Sequence, residues 1–240
     1  MHLFYTPLLE GEHTVFQLDE AESKHAVRVL RLGKESRIGL LNGKGLKVEG
    51  EILDANPKRV VLKILYPSAM KPVESHFHLC IAPTKNMDRL EWLVEKATEI
   101  GIGSITPLIC ARSERKEVSI ERLQKVAIAA MKQAQRTYLP VIHPAIKFNA
   151  WMAGSETLSG QKWIAHCLEL PKTPLVANSG SDLSVHVLIG PEGDFSVEEV
   201  DFAVSKGFFG LDLGDWRLRT ETAGLVACME VSRFERNLSI

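Results

Sequence analysis

The chain has 240 residues, of which 45% are hydrophobic and 25% charged, which is typical of a soluble globular protein with one large or two smaller domains. No apolar run approaches the roughly 18 residues of a membrane span. The N-terminus has neither a basic nor a sustained apolar segment, so we expect no secretion signal, a cytoplasmic location and no membrane partner. Four cysteines lie far apart, which favours reduced thiols over disulfides or a metal site. They are Cys80, Cys110, Cys167 and Cys228.

The net charge of −1 conceals an uneven distribution. Residues 1–147 carry 22 Lys and Arg against 17 Asp and Glu, a surplus of five positive charges, whereas residues 148–240 carry 7 against 13, a deficit of six. The basic front indicates an anionic partner for the first part of the chain. The same surplus also fits an ordinary solvated surface, so both interpretations stay open.

The first 70 residues are predicted to form short strands joined by tight turns, an arrangement typical of a small barrel. The predicted strands are residues 36–41, 46–53 and 59–65. A two-residue hairpin turn is predicted at Asn42-Gly43, because both residues tolerate positive φ. A helix is predicted over residues 20–30.

Three basic residues of this helix recur at spacings of four and three, and we expect them to share one face. They are Lys24, Arg28 and Arg31. Such a stripe suits phosphate groups, but the spacing fits a solvated helix face equally well.

Residues 66–72 contain two prolines and a serine without a clear period, and they predict a linker. The sequence thus divides into a domain over residues 1–70 and another over residues 74–240.

From residue 77 the pattern alternates between strands and helices, which predicts an α/β domain with a mostly parallel sheet. The predicted strands are residues 77–82, 104–109, 163–167, 185–189 and 208–213. The predicted helices are residues 88–100, 119–135 and 222–234, with another beginning after Ser196 and ending at Gly207. Asp88 is the expected N-cap of the first of these helices, and Ser196 with Glu199 forms a capping-box pattern.

Several familiar sites are missing from this pattern. His76 and His78 lie two apart without an acidic or cysteine partner nearby, so we expect no metal site there. No phosphate-binding glycine loop, dinucleotide fingerprint or serine nucleophile elbow follows the strands, which disfavours an NTPase, a nucleotide-binding oxidoreductase and a serine hydrolase.

Two glycine-containing turns follow predicted strands instead, where α/β sheets bind ligands. In the first, Gly190 and Gly193 lack Cβ atoms, so a flat group such as adenine could lie against the backbone. The alternative is a plain strand-to-helix turn. In the second turn, Arg217 and Arg219 precede a helix whose dipole disfavours cations, which indicates an anionic ligand or a partner carboxylate. Thr220 is the expected N-cap of that helix.

These turns carry a family resemblance. The segments Gly190-Pro191-Glu192-Gly193, Leu213-Gly214 and Leu218-Arg219-Thr220-Glu221-Thr222-Ala223 resemble those of SPOUT-class RNA methyltransferases, and among these most resemble the 16S ribosomal RNA uridine-N3 methyltransferases. Further matching positions extend the resemblance over essentially the whole chain: His25, residues 29–31, residues 96–101, Pro107, Gln133, Arg136 and Pro140.

The resemblance implies a fold and a function. It implies an N-terminal PUA-like β-barrel that helps bind RNA, followed by a SPOUT α/β domain with a C-terminal trefoil knot. It implies S-adenosyl-L-methionine as cofactor and a homodimer with the site at the subunit interface. The reaction would methylate N3 of a uridine in 16S rRNA, either free or within the assembled small ribosomal subunit.

The resemblance also implies which residues act. The cofactor would contact three loops through His166, Cys167, Leu168, Gly190, Pro191, Glu192, Gly193, Leu213, Gly214 and Leu218. Arg219 would stabilise negative charge on a uracil oxygen, and Glu221, or alternatively Glu192, would accept the proton of N3. The residues expected to contact RNA are Lys24, Arg28, Arg31 and Arg136.

The chain departs from the family pattern at two places. Asp194 stands where the family usually repeats glycine, and Trp216-Arg217 replaces a stretch that usually ends in an aliphatic residue.

A rival interpretation of the whole chain is a non-enzymatic RNA-binding protein of ribosome assembly. This interpretation would leave the two glycine turns without a ligand.

Overall fold

A computed structural model describes residues 1–68, 75–175 and 184–238. Contacts divide them into one unit of residues 1–68 and 131–139 and another of residues 75–130, 140–175 and 184–238. Residues 69–74, which include most of the predicted linker, lie outside the described residues. Across the described ranges, no helix is both long and apolar enough to cross a membrane.

The described part of the first unit contains a five-stranded sheet of order β1-β3-β4-β5-β2. Its strands are β1 (Leu3–Tyr5), β2 (Val15–Gln17), β3 (Arg37–Leu41), β4 (Lys47–Asn56) and β5 (Arg59–Ser68). The pair β1–β3 is parallel and the other pairs are antiparallel. β5 continues through Ser68, so the prediction of a linker beginning at residue 66 was wrong. Alternate residues of β3 and β4 bury a core with Phe4, Leu18 and Leu62.

The predicted two-residue turn at Asn42-Gly43 was also wrong, because residues 42–46 form the connection between β3 and β4. Asn42 Oδ1 accepts hydrogen bonds from Lys44 N at 2.8 Å and Leu46 N at 3.0 Å. Gly45 N donates to Thr137 O of the same unit at 2.9 Å. The longer loop is therefore stabilised by the Asn42 side chain and by pairing with residues 137–139.

The helices of the two units are α1 (Glu20–Lys24), α2 (Met87–Ile100), α3 (Ile120–Gln133), α4 (Phe148–Ala153), α5 (Val197–Ser205) and α6 (Thr220–Leu238). α1 continues as a π-helical turn over His25–Val29, with Leu30 N donating to His25 O at 3.0 Å. Arg31 then has φ of 55°, which ends the helix. The expectation that Arg31 shares a helical face with Lys24 and Arg28 was wrong for this reason.

The described part of the second unit contains a seven-stranded sheet, and every pair in it is parallel. This confirms the predicted parallel sheet. The strands are β6 (Phe77–Ile81), β7 (Ser104–Ile109), β8 (Val141–Ile142), β9 (Ile146–Lys147), β10 (Gln161–Ala165), β11 (Val185–Ile189) and β12 (Phe209–Gly210). Their order is β12-β10-β11-β6-β7-β8, and β9 pairs with β7.

Nearby polar side chains cap the first turns of α5 and α2. The predicted capping box is present, since Glu199 N donates to Ser196 Oγ at 3.2 Å and Ser196 N donates to Glu199 Oε2 at 2.9 Å. The N-cap of α2, however, is Asn86 rather than Asp88, because Asn86 has an extended backbone and its Oδ1 accepts from Asp88 N. Gly101 ends α2 with φ of 114°.

The last strand and the last helix bring the chain back to the sheet centre. β12 has only two of the six residues predicted for it, because Gly214 N donates to Asp212 Oδ1 at 2.9 Å and the chain turns at Gly214 with φ of 102°. α6 then packs against β6 and α2. A Cβ at Gly224 would lie 2.8 Å from Ile81 Cδ1, so glycine allows this close approach without displacing that side chain.

Candidate functional site

Three loops meet at the carboxyl end of the parallel sheet, after β10, β11 and β12. They line a cavity of about 470 Å³, within the size range of small-molecule sites. Of the residues predicted to contact a cofactor, eight line this first cavity: His166, Cys167, Gly190, Pro191, Glu192, Leu213, Gly214 and Leu218. Two do not: Leu168 packs against the core, and Gly193 O accepts a hydrogen bond from Arg112 Nη1 at 2.9 Å.

The glycine after β11 has a different role from the one expected. A Cβ at Gly190 would lie 3.0 Å from a ring carbon of Phe195, which is fully buried. Gly190 therefore makes room for Phe195, and the expectation that its missing Cβ exposes backbone to a ligand was wrong. Gly190 O accepts a hydrogen bond from Thr220 Oγ1 at 3.1 Å. The Thr220 hydroxyl thus links the start of α6 to this loop, whereas we expected it to cap the helix.

Asp194, a departure from the family pattern, joins the first two loops. It has φ of 63°, a conformation that Asp tolerates better than most residues. Its Oδ2 accepts from Cys167 N at 2.9 Å and its Oδ1 accepts from Phe195 N at 2.8 Å. A glycine would satisfy the backbone conformation here but could not make either bond. The carboxylate therefore fixes the β10 loop against the β11 loop.

Residues outside the cavity hold the β11 loop from its other side. Arg112 Nη1 donates to Phe195 O at 3.2 Å as well as to Gly193 O. Glu192 Oε1 accepts from Lys85 N at 2.9 Å. This contact occupies one carboxylate oxygen of Glu192, the alternative proton acceptor.

His166 presents a polar atom that lacks a protein partner. The residue is 8% exposed, and its Nδ1 has no hydrogen-bond partner among the described residues. Burial, and then the positive charge of Lys172, lower the pKa of His166 from its ordinary value near 6.5. The ring is therefore neutral at pH 7. Nδ1 is itself buried, so a ligand in the cavity would reach this atom only if the ring moved.

Acidic side chains predominate slightly in the cavity wall, with four carboxylates against Lys172, Arg217 and Arg219. The carboxylates belong to Glu192, Asp194, Asp212 and Asp215. A Cβ at Gly214 would meet no atom within 4 Å, so the space beside this residue is free. The cavity thus suits a small ligand with a positive charge.

A second cavity, of about 600 Å³, opens between the start of α2 and the start of α6. Its residues are Asp88, Arg89, Trp92, Arg217, Leu218, Arg219, Glu221 and Thr222. Residues 217–219 line both cavities and form a shared wall. Arg219 therefore lies at both sites, whereas Glu221 lines only the second.

Glu221 is buried, with 7% of its surface exposed. Its Oε1 lies 3.7 Å from Arg89 Nε, and its Oε2 has no hydrogen-bond partner among the described residues.

The sequence analysis did not identify five residues that line these cavities: Arg89, Trp92, Lys172, Asp212 and Asp215. Trp92 carried a usable signal, because an aromatic residue outside the apolar stripe of α2 has no packing role there.

The four residues expected to contact RNA all belong to the first unit. Lys24, Arg28 and Arg31 are exposed and Arg136 is half-buried. Lys24 Nζ lies 2.6 Å from Glu20 Oε1, so part of its charge is compensated.

Within the described residues, no group of three or more His, Cys, Asp or Glu could hold a metal ion.

Known proteins resemble this chain in sequence and in architecture. A family model for the RNA methyltransferase domain matches residues 71–232, and one for the RNA methyltransferase PUA domain matches residues 18–65. The chain is 28% identical over 223 residues to the ribosomal RNA small subunit methyltransferase E of Rickettsia conorii, covering 92% of this chain and 91% of the relative. A relative of the same name from Aquifex aeolicus is 28% identical over 232 residues, covering 93% and 95%.

A solved structure agrees in fold. The ribosomal RNA small subunit methyltransferase E from Neisseria gonorrhoeae bound to S-adenosyl methionine matches with a TM-score of 0.83 at 26% identity, covering 97% of each chain. The fold is a mixed α/β fold with a PUA-like N-terminal domain. Because the methyltransferase model covers more than half of the sequence, the chain belongs to the RNA methyltransferase family, in the SPOUT class that its motifs resemble.

Proposed function

We propose that the protein transfers a methyl group from S-adenosyl-L-methionine to N3 of a uridine in 16S rRNA, as free RNA or within the small ribosomal subunit. The observation that carries this proposal is the shared wall of residues 217–219, with a cofactor-sized cavity on one side and the buried carboxylate of Glu221 on the other. The relatives named ribosomal RNA small subunit methyltransferase E, which align over more than nine-tenths of this chain, support the substrate class.

The first cavity fits S-adenosylmethionine in size and in charge. Its volume of about 470 Å³ suits a ligand of this size. Its acidic excess suits a cofactor with a net positive charge. The free space beside Gly214 allows close approach to the backbone. All ten residues predicted for the cofactor belong to the three loops that converge here.

The residues at the wall have distinct tasks in the reaction. When bound, S-adenosylmethionine supplies a methyl group already activated by a positively charged sulfur. Glu221 would accept the proton of uracil N3, so that the N3 electron pair is available for the methyl group. Arg219 stabilises the negative charge that develops on a uracil oxygen. The remaining loop residues exclude water and hold the reactants in position.

The finer architecture is part of the proposal. We infer a β-barrel in a domain of residues 1–70 and a trefoil knot in a domain of residues 74–240. The likeness of the three loops to those of SPOUT-class methyltransferases supports the knot. We also infer a homodimer with the site at its interface. RNA contact through Lys24, Arg28, Arg31 and Arg136 is also proposed, and the exposure of the first three supports it.

Methyl transfer to small subunits that lack the modification tests this function. Arg219→Ala and Glu221→Gln should each reduce transfer of labelled methyl groups by a factor of 100 or more. Matched controls on the same helix are Arg233→Ala and Glu230→Gln, which change exposed side chains that pair with each other at 3.5 Å. Near-wild-type rates for both site variants would contradict the proposed roles. Selective binding of S-adenosylmethionine without transfer to any rRNA would contradict the enzymatic function and favour an assembly protein.

A further inference from the structure

We propose that the second cavity, between α2 and the start of α6, binds the target uracil, and that Arg89 and Trp92 recognise it. This inference rests on the proposed function. Neither Arg89 nor Trp92 belongs to the motifs that carried the family resemblance. Both line the cavity together with Glu221 and Arg219.

The position of the cavity suits a methyl acceptor. Residues 217–219 separate it from the first cavity by the thickness of one chain segment, because the same residues line both. A base in the second cavity is thus a direct neighbour of a cofactor in the first. Enzymes that modify a base take it out of its stack into such a pocket.

The charged groups match the Watson–Crick edge of uracil. That edge presents an acceptor oxygen, the N3–H donor and a second acceptor oxygen. Glu221 supplies a carboxylate acceptor for N3–H, and the guanidinium groups of Arg89 and Arg219 supply donors for the oxygens. Cytosine presents an acceptor at N3 and an amino donor beside it, so the same groups would repel N3 and leave the amino group unmatched.

The unpartnered oxygen of Glu221 is the strongest sign of a ligand. A carboxylate that is nine-tenths buried normally has partners for both oxygens. Here Arg89 Nε lies 3.7 Å from Oε1, beyond hydrogen-bond distance, and Oε2 has no partner among the described residues. The outer torsion of Glu is broad and roughly two-fold. A turn about it exchanges the two oxygens without backbone movement, so either can accept from the base.

Trp92 supplies a stacking surface. Its side chain is 42% exposed, although the neighbouring apolar residues of α2, Leu93 and Val94, are fully buried. Single-stranded RNA bases stack on exposed aromatic side chains of this kind, and tryptophan offers the largest face. Together with Arg89, Trp92 thus provides a flat surface beside a polar edge, as recognition of a base requires.

Steady-state methyl transfer to small subunits lacking the modification tests the proposal. Trp92→Ala should raise KM for the subunits about tenfold or more, and Trp92→Phe should restore most of the loss. The dissociation constant for S-adenosylmethionine, measured by calorimetry, should stay within twofold. Phe209→Ala, which removes a 66% exposed aromatic from the edge strand β12, is the matched control and should leave KM unchanged.

Base discrimination gives an independent readout. Uridine monophosphate should inhibit the wild-type protein more strongly than cytidine monophosphate does, and Arg89→Ala should reduce that preference at least fivefold. Arg233→Ala is the matched control. Unchanged KM in Trp92→Ala, or unchanged preference in Arg89→Ala, would overturn the proposal.

Two further outcomes separate the rival explanations. If Trp92→Ala changed the sedimentation coefficient, and KM returned to the wild-type value at protein concentrations that restore the wild-type assembly, Trp92 would act through contact between two copies of the chain and not on the base. The proposal would then be wrong. If the wild-type protein neither bound S-adenosylmethionine nor transferred methyl groups, the proposed function would fail. Normal transfer by the wild type with unaffected Trp92 and Arg89 variants would overturn the base subsite alone.

Discussion

The two ends of the parallel sheet use histidines and charged groups differently. Near the amino ends of the strands, His78 and His186 are neighbours on β6 and β11, with ring centroids 5.6 Å apart. His143 lies 5.3 Å and Trp151 6.1 Å from the His78 ring. At the carboxyl ends, His166, Arg219 and Glu221 line cavities instead. One end thus packs its histidines against one another, and the other directs polar groups towards open space.

The two ends also differ in how their polar groups are partnered. Burial, and then the neighbouring His186 and His143, lower the pKa of His78 to about 3. His78 is therefore neutral at pH 7, and its Nε2 pairs with Thr106 Oγ1 at 2.7 Å. At the carboxyl end, Glu221 is buried and its Oε2 has no hydrogen-bond partner among the described residues. We therefore expect changes at the amino end to alter stability and changes at the carboxyl end to alter activity.

The largest expected effect is at the carboxyl end. Arg219→Ala should lower kcat for methyl transfer by a factor of about 100–1,000, because it removes a cation that stabilises developing charge. The side chain is exposed, so the free energy of unfolding should change by less than about 0.5 kcal/mol. Activity assays and urea titrations on one preparation measure both. A large loss of stability would erase the contrast between the two ends.

A comparable effect, this time on stability, is expected at the amino end. The pKa of His78 is lower in the folded state, so between about pH 6.5 and 3 the unfolded state binds more protons and stability falls as pH falls. From pH 7.5 to 4.5 this residue should cost the wild-type protein about 3 kcal/mol of unfolding free energy.

His78→Gln removes this titration but keeps a polar side chain that can reach Thr106. Its loss of stability over the same pH range should be smaller by about that amount, as measured by urea titration at the two pH values. His143→Gln is the comparison for the neighbouring ring. An identical pH dependence in wild type and His78→Gln would show that the buried histidine does not control acid sensitivity.

A smaller effect is expected where Asp194 joins the loops. Asp194→Gly suits the positive φ but loses both hydrogen bonds, and it should weaken S-adenosylmethionine binding about tenfold. Asp194→Asn keeps an acceptor and tolerates this backbone conformation, so its affinity should stay within about threefold of wild type. Calorimetry measures both variants. Equal affinities in Asp194→Gly and the wild type would mean that the link between loops is dispensable.

The smallest expected effect concerns the first unit. Arg28→Ala should reduce the slope of log affinity for rRNA against log salt by roughly 0.7–0.9, the loss of one phosphate contact. Lys24→Ala should change the slope less, because Lys24 already pairs with Glu20. Filter binding at several salt concentrations measures both slopes. An unchanged slope for Arg28→Ala would mean that this face is merely solvated.

The sequence predicted the parallel sheet and most of the first cavity, because strand periodicity and glycine turns are local signals. It failed where particular turns and side-chain contacts, which periodicity does not report, decide the structure. Arg31 leaves the helical face because the chain ends α1 in a π-helical turn, and β12 is short because Asp212 and Gly214 turn the chain. The role predicted for Gly190 was also wrong. Its missing Cβ makes room for the ring of Phe195, five residues further along the chain. The second cavity requires α2 and α6 to pack together, which no local pattern encodes.

Mass mapping of labelled rRNA tests the central claim most directly. Small subunits from a strain that lacks the modification would be incubated with the protein and S-adenosylmethionine carrying a deuterated methyl group. We predict one labelled nucleotide in 16S rRNA, a uridine methylated at N3, and no labelled product with Arg219→Ala over the same time. A label on another base, or no label with the wild-type protein, would contradict the account.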